Sequence, residues 1–195
     1  NVLFDDFYIK EYGRQFSYMN ENNKMFYNIN NNLIPVNQVN SGLMLGKNGY
    51  VLTSIKNIQQ VNDFVIELQI NDTIKIFKAD IFYNSDIYKF TILKIKNYTN
   101  QENTNIEYNY SYLKNATTGV KTIICEYEKS ECDSKFELIK INGEGKIIST
   151  HKHNYVGIYN THCCVGSPIF DLTGNILGII SDVDKQNLLK IVPIQ

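Results

Sequence analysis

An all-β fold, a barrel or a sandwich, is predicted by three features of this 195-residue sequence: short segments alternating apolar and polar residues, β-branched enrichment within them, and polar turn residues at close intervals. The clearest segments are Val65-Ile66-Glu67-Leu68-Gln69-Ile70, Ile74-Lys75-Ile76-Phe77-Lys78 and Thr91-Ile92-Leu93-Lys94-Ile95, with Asn71-Asp72 marking a turn between the first two. Farther on, Ile169 to Leu172, then Thr173-Gly174-Asn175, then Ile176 to Ile180 read as an apolar hairpin.

Before these strands, Phe4, Tyr8, Tyr12 and Phe16 recur every fourth residue, with Asp5 and Asp6 early and Lys10 and Arg14 late. That spacing and charge order suit a short amphipathic helix, whose aromatic stripe covers the core of its own domain. Residues 20–32 are rich in asparagine and read as a mobile or irregular connector. A second polar stretch, Asn97 to Asn109, is expected to carry a crossover between two halves of the fold, and Thr117-Thr118-Gly119 precedes a strand from Val120 to Glu126. The expected division is therefore an extension and connector at 1–32, a first β unit at 33–113 and a second at 114–195.

Composition narrows the function. The chain is 43% apolar and 12% aromatic, enough for one substantial core or two small ones. Its 19 basic and 20 acidic residues carry no nucleic-acid or membrane-surface signature. The apolar runs are far shorter than a membrane span, and residues 1–20 lack a signal-peptide pattern, so no membrane span is expected and the compartment stays open. Sequons stand at Asn71, Asn97, Asn109 and Asn115, a number near chance in so asparagine-rich a chain, and they imply no glycosylation.

The cysteines allow several readings. Cys125 and Cys132 are separated by six residues, Cys163 and Cys164 are adjacent, and His151, His153 and His162 lie in the same half. No pair has Cys-x-x-Cys spacing, which disfavours zinc, so no metal and no cofactor is expected. A Cys125–Cys132 disulfide across a hairpin suits an oxidising compartment, and four free thiols a reducing one.

Residues 163–180, Cys-Cys-Val-Gly-Ser-Pro-Ile-Phe-Asp-Leu-Thr-Gly-Asn-Ile-Leu-Gly-Ile-Ile, resemble the nucleophile turn and following hairpin of trypsin-like serine proteases. The resemblance is nearest to the HtrA/Deg branch and extends over residues 40 to 195. Ser41-Gly42-Leu43-Met44-Leu45-Gly46-Lys47-Asn48-Gly49-Tyr50-Val51-Leu52-Thr53 is similar to the strands that lead to the family's catalytic histidine, and Asp86 to Ile95 is similar to the strand that carries its aspartate. Leu188 to Ile194 resembles the strand that closes the protease domain, and no PDZ domain is expected after it within this sequence.

The resemblance implies two antiparallel β-barrels of the chymotrypsin type with a cleft between them. It also places Lys56 at the histidine position, Lys89 or Phe90 at the aspartate position, and Val165 at the nucleophile. A valine has no lone pair to attack with, and Lys56 is protonated near neutral pH unless strongly desolvated. Gly166, Ser167 and Pro168 keep the frame of the turn, while Cys163 replaces a glycine that helps form the oxyanion hole.

The implied function is a pseudoprotease, a non-catalytic module that binds a protein or peptide partner. Because aromatic N-terminal segments join trimers in the HtrA family, the resemblance also implies, as the alternative to core coverage, that residues 1–20 join copies of this chain into a homo-oligomer. The alternative function is an active protease with a displaced nucleophile, Cys164, one residue before the nucleophile slot and near His162. A shift of one residue redirects a side chain, which disfavours it, and buried cysteines commonly serve as small apolar residues. Two lysines replacing hydrogen-bonded residues would repel, so their ammonium groups either turn to solvent or share an anion, which is a partner's carboxylate or an acid of the chain itself. Lys56 and Lys89 are thus the candidate anion or peptide contacts.

Overall fold

The structure, a computed structural model, describes residues 17–19, 25–29, 32–36, 38–70, 73–99, 116–132, 135–151, 154–159, 165–184 and 188–193. The chain divides into two compact units, one of residues 1–39 with 128–139, the other of 40–127 with 140–195. The aromatic stripe from Phe4 to Phe16 lies outside the described residues.

The smaller unit contains a three-stranded antiparallel sheet of β1 (Ser17–Met19), β2 (Met25–Ile29) and β3 (Asn32–Pro35), paired in that order. The connector expected to be irregular over 20–32 therefore contains a strand. Met25-Phe26-Tyr27-Asn28-Ile29 embeds aromatic and branched side chains among the asparagines; Tyr27 pairs with Ile34, and both are buried.

The larger unit holds two β structures, except that residues 128–139, the end of one strand and the start of the next, are counted with the smaller unit. β4 (Gly42–Leu45), β5 (Tyr50–Thr53), β6 (Phe64–Ile70), β7 (Thr73–Ser85) and β8 (Phe90–Ile95) form an antiparallel half-barrel in the order β4-β5-β8-β7-β6. β9 (Lys121–Cys132), β10 (Lys135–His151), β11 (Asn154–Tyr159), β12 (Pro168–Asp171), β13 (Ile176–Val183) and β14 (Leu188–Pro193) close into a six-stranded barrel. The fold is thus all-β with the double-barrel plan, its first half open.

Strand alternation builds three cores. In β8, Leu93 and Ile95 turn inward to join Val51, Ile66 and Ala79 inside the half-barrel. Phe90 and Ile92, on the other face of β8, pack with Leu43, Leu45 and Leu52 against Ile179 and Val192 of the closed barrel. β5 is consequently buried from Val51 to Thr53. The closed barrel is filled by Ile124, Ile147, Ile169, Leu177, Ile180, Leu189 and Ile191 with Tyr155 and Tyr159.

β7 is longer than its outer neighbour. Pairing with β6 ends at Phe64↔Ala79, so Asp80 to Ser85 have β8 on one side and, among the described residues, no strand on the other. Ile81, Phe82 and Tyr83 are exposed there, and the register slips between Ile81 and Tyr83, leaving Phe82 as a bulge.

The β12–β13 hairpin is closed by Asp171. Its carboxylate accepts the N–H and hydroxyl of Thr173 at 2.9 and 2.7 Å and the N–H and side-chain amide of Asn175 at 2.9 and 2.8 Å. Burial opposes its ionisation, but these four bonds together outweigh burial and hold the carboxyl well below the usual carboxylate range. Because the folded pKa is depressed, the stabilisation is complete above the unfolded value of about 3.9 and is lost as pH falls through the folded one. Asp171→Ala should cost about 2–3 kcal/mol at neutral pH, from charge-assisted bonds. Urea titrations of variant and parent should show that gap narrowing steadily below about pH 4.

Cys125 and Cys132 both lie on β9. The bridge considered for an oxidising compartment joins strands facing across a hairpin, whereas both residues stand on one strand. Cys125 carries a free thiol. His153, His162, Cys163 and Cys164 lie outside the described residues, as do most residues of the expected crossover. No helix among the described residues is long and apolar enough to cross a membrane.

Candidate functional site

Hydrogen bonds from the Thr53 and Ser54 side chains and the Ser41 backbone gather the three segments singled out in the sequence. Where β5 leaves the sheet, the Thr53 hydroxyl donates to the Ser41 carbonyl at 2.7 Å. The next residue, Ser54, is buried; its hydroxyl donates to the Lys89 carbonyl at 2.8 Å, and its own carbonyl accepts the Asn40 amide at 2.7 Å. The chain then passes through Ile55, Lys56 and Asn57, the last in the left-handed region at φ 54°, into a single 3₁₀ turn at Ile58–Gln60.

Lys89 ends the turn from β7 to β8. Its backbone is also left-handed, at φ 57°, a conformation that costs a side-chain-bearing residue roughly 1–2 kcal/mol and that the Ser54 bond helps hold. The N–H of the preceding Tyr88 donates to the Ser85 hydroxyl at 3.2 Å. Lys89 is exposed, and no carboxylate pairs with its ammonium among the described residues. Phe90, the other position considered, is packed in the apolar contact between the two β structures, with its ring 5.7 Å from that of Tyr83.

Val165 supplies the third segment. Its carbonyl accepts the Ser41 N–H at 3.2 Å, so Ser41 ties this turn and Thr53 together through its two backbone groups. Gly166 follows at φ 90°, and a Cβ there would run into the Ser41 carbonyl and the Thr53 hydroxyl. Its N–H donates to the Ile180 carbonyl at 2.7 Å, and the carbonyl of the buried Ser167 accepts the Ile180 N–H at 3.0 Å. These bonds fix the turn to both β structures.

The Lys56 ammonium donates to Asp182 Oδ1, on β13 of the closed barrel. Lys190 Nζ lies 3.9 Å from Asp182 Oδ2, and the Val183 N–H donates to Oδ1 at 3.0 Å. The hydrogen bond from Lys56 is the main force holding the Asp182 carboxyl below the usual range; partial burial opposes it, while the Lys56 charge, the Val183 N–H and Lys190 assist. Lys56 thus meets an acid of the chain itself, while Lys89 is exposed with no carboxylate partner among the described residues.

Asp182 was not singled out in the sequence. It stands 126 residues from Lys56, after an apolar strand, where an acid reads as an ordinary strand end. Chemically, the assembled positions present one paired ammonium, one solvated ammonium and a hydrocarbon, with the neighbouring Thr53 and Ser54 hydroxyls donating to backbone carbonyls.

No protein-family model matches the chain, and no curated protein sequence matches it. Solved structures do. The MamO protease domain from Magnetospirillum magneticum, in its apo form, is similar with a TM-score of 0.57 at 14% identity, over 80% of this chain and 84% of that one. AlgW, an HtrA-type protease solved with a decapeptide, is similar with a TM-score of 0.56 at 14% identity, over 79% of this chain, which spans only 47% of AlgW. The half-barrel and closed barrel together thus have a double-barrel, trypsin-like fold similar to that of these two proteins.

Proposed function

We propose that this domain is a pseudoprotease: a protease fold without the proteolytic chemistry, serving as a protein-binding or scaffolding module through its old cleft or its barrel surfaces. The observation that carries this reading is the gathering, by Ser41, Thr53 and Ser54, of the segments bearing Val165, Lys56 and Lys89, the positions that the sequence resemblance aligns with a triad. Val165 has nothing to attack with. The Lys56 ammonium is engaged by Asp182, donating a hydrogen bond where a general base would have to accept a proton. AlgW, with its decapeptide, supports the idea that a peptide is the right class of ligand for such a fold.

Removing triad members from a working protease leaves only the roughly 10³–10⁴-fold acceleration due to binding and the oxyanion hole. Serine-directed fluorophosphonates should therefore leave the protein unlabelled, and a peptide library should emerge intact, as read by mass spectrometry. Stoichiometric, pH-dependent labelling of Cys164 by a thiol probe, together with turnover of the library, would instead establish the displaced-cysteine protease.

A further inference from the structure

Asp182 reaches the site from another strand, in the other β structure, and places its carboxylate where Lys56 would meet a ligand. The contact is at the surface: the Lys56 side chain is 52% exposed and that of Asp182 37%. An ion pair so open to water is worth about 0–1 kcal/mol, little enough for an incoming carboxylate to replace it. Replacement would not strand Asp182, because Lys190 Nζ stands 3.9 Å from its second oxygen and the Val183 N–H stays on the first.

Nearby charge favours the exchange. Lys89, held close to Ser54 through its carbonyl, offers an ammonium with no carboxylate partner among the described residues. Ile87 and Tyr88 in the same turn are exposed and supply apolar contact for a chain lying over them. Asp86 is the acid of this turn, and it accepts the Asn84 amide at 2.9 Å.

We infer that Lys56 and Lys89 form a two-point site for an acidic peptide segment, and that Asp182 is its internal stand-in, occupying the Lys56 half until a partner carboxylate displaces it. This rests on the pseudoprotease reading, whose cleft it assigns to acidic partners. Asp182 then limits affinity and admits only ligands with enough negative charge to outcompete it.

The test uses a dye-labelled octaglutamate peptide and fluorescence anisotropy at low and high salt. Asp182→Asn keeps the shape and removes the competing charge, so it should tighten low-salt binding by about twofold to fivefold, the fold-change equivalent of the upper part of that range. High salt should remove the gain. Lys56→Ala should weaken binding, and adding Asp182→Asn to it should bring no improvement, because the aspartate acts through that lysine. An Asp182→Asn affinity equal to the parent's, or a gain that survives in the Lys56→Ala background, overturns the inference; the second result would mean only a general change of charge. Thermal melts of each variant separate lost folding from lost binding. Failure here leaves the labelling result untouched, whereas labelling with turnover would defeat the pseudoprotease reading whatever the anisotropy shows.

Discussion

Gly166→Ala should be among the most damaging single substitutions in the chain, at about 2–5 kcal/mol: roughly 1–2 for a left-handed alanine and 1–3 for pushing apart packed groups. The new methyl would run into the Ser41 carbonyl and the Thr53 hydroxyl, which are themselves bonded at 2.7 Å. Neither group can swing aside as a long side chain could. Gly174→Ala is the control, since its φ of 87° carries the same backbone penalty but no atom lies within 4 Å of the added carbon. It should cost only about 1–2 kcal/mol. Urea unfolding of the two variants would measure the difference, and equal midpoints would show that the Ser41–Thr53–Gly166 packing is not tight.

Ile180→Ala should cost about 3–4 kcal/mol, within the range for emptying a well-packed core site. Its side chain is fully buried in the closed barrel, while its backbone donates to Ser167 and accepts from Gly166. Ile180→Val, which removes a single methylene, should cost about 1 kcal/mol. Combined with Gly166→Ala, the alanine variant should depart from additivity, because the two residues share a hydrogen bond of 2.7 Å. A loss below about 1 kcal/mol for Ile180→Ala, at the scale of a deleted methylene, would mean that the barrel interior collapses around the gap.

The strands that position the site were legible because their pattern is local. Phe90 to Ile95 alternates between two buried surfaces with period two, and the Ile169–Ile180 hairpin is punctuated by Thr173, Gly174 and Asn175. The strand Met25–Ile29 was hidden by composition: asparagines around it favour irregular chain, and only pairing with β3 reveals Tyr27 as a buried residue. Cys125 and Cys132 read as a hairpin pair because strand length cannot be read from spacing, and both fall on β9. The segments bearing Lys56, Lys89 and Val165 were visible as motifs. What ties them together was not, since the bonds of Ser54 to Lys89 and Lys56 to Asp182 span 35 and 126 residues. Long-range polar contacts leave no periodic trace.

The bulge at Phe82 bears on how this chain avoids sticking to itself. Along Asp80 to Ser85, one row of backbone donors and acceptors has no strand opposite it among the described residues, beside the exposed side chains of Ile81, Phe82 and Tyr83. A flat edge of that composition is a template on which a partly unfolded copy can add strand after strand. The extra residue at Phe82 bends and twists the edge, so a straight incoming strand loses register after one or two residues on either side. Phe82 makes the surface apolar and, by its place in the backbone, makes the same surface a poor seed for aggregation.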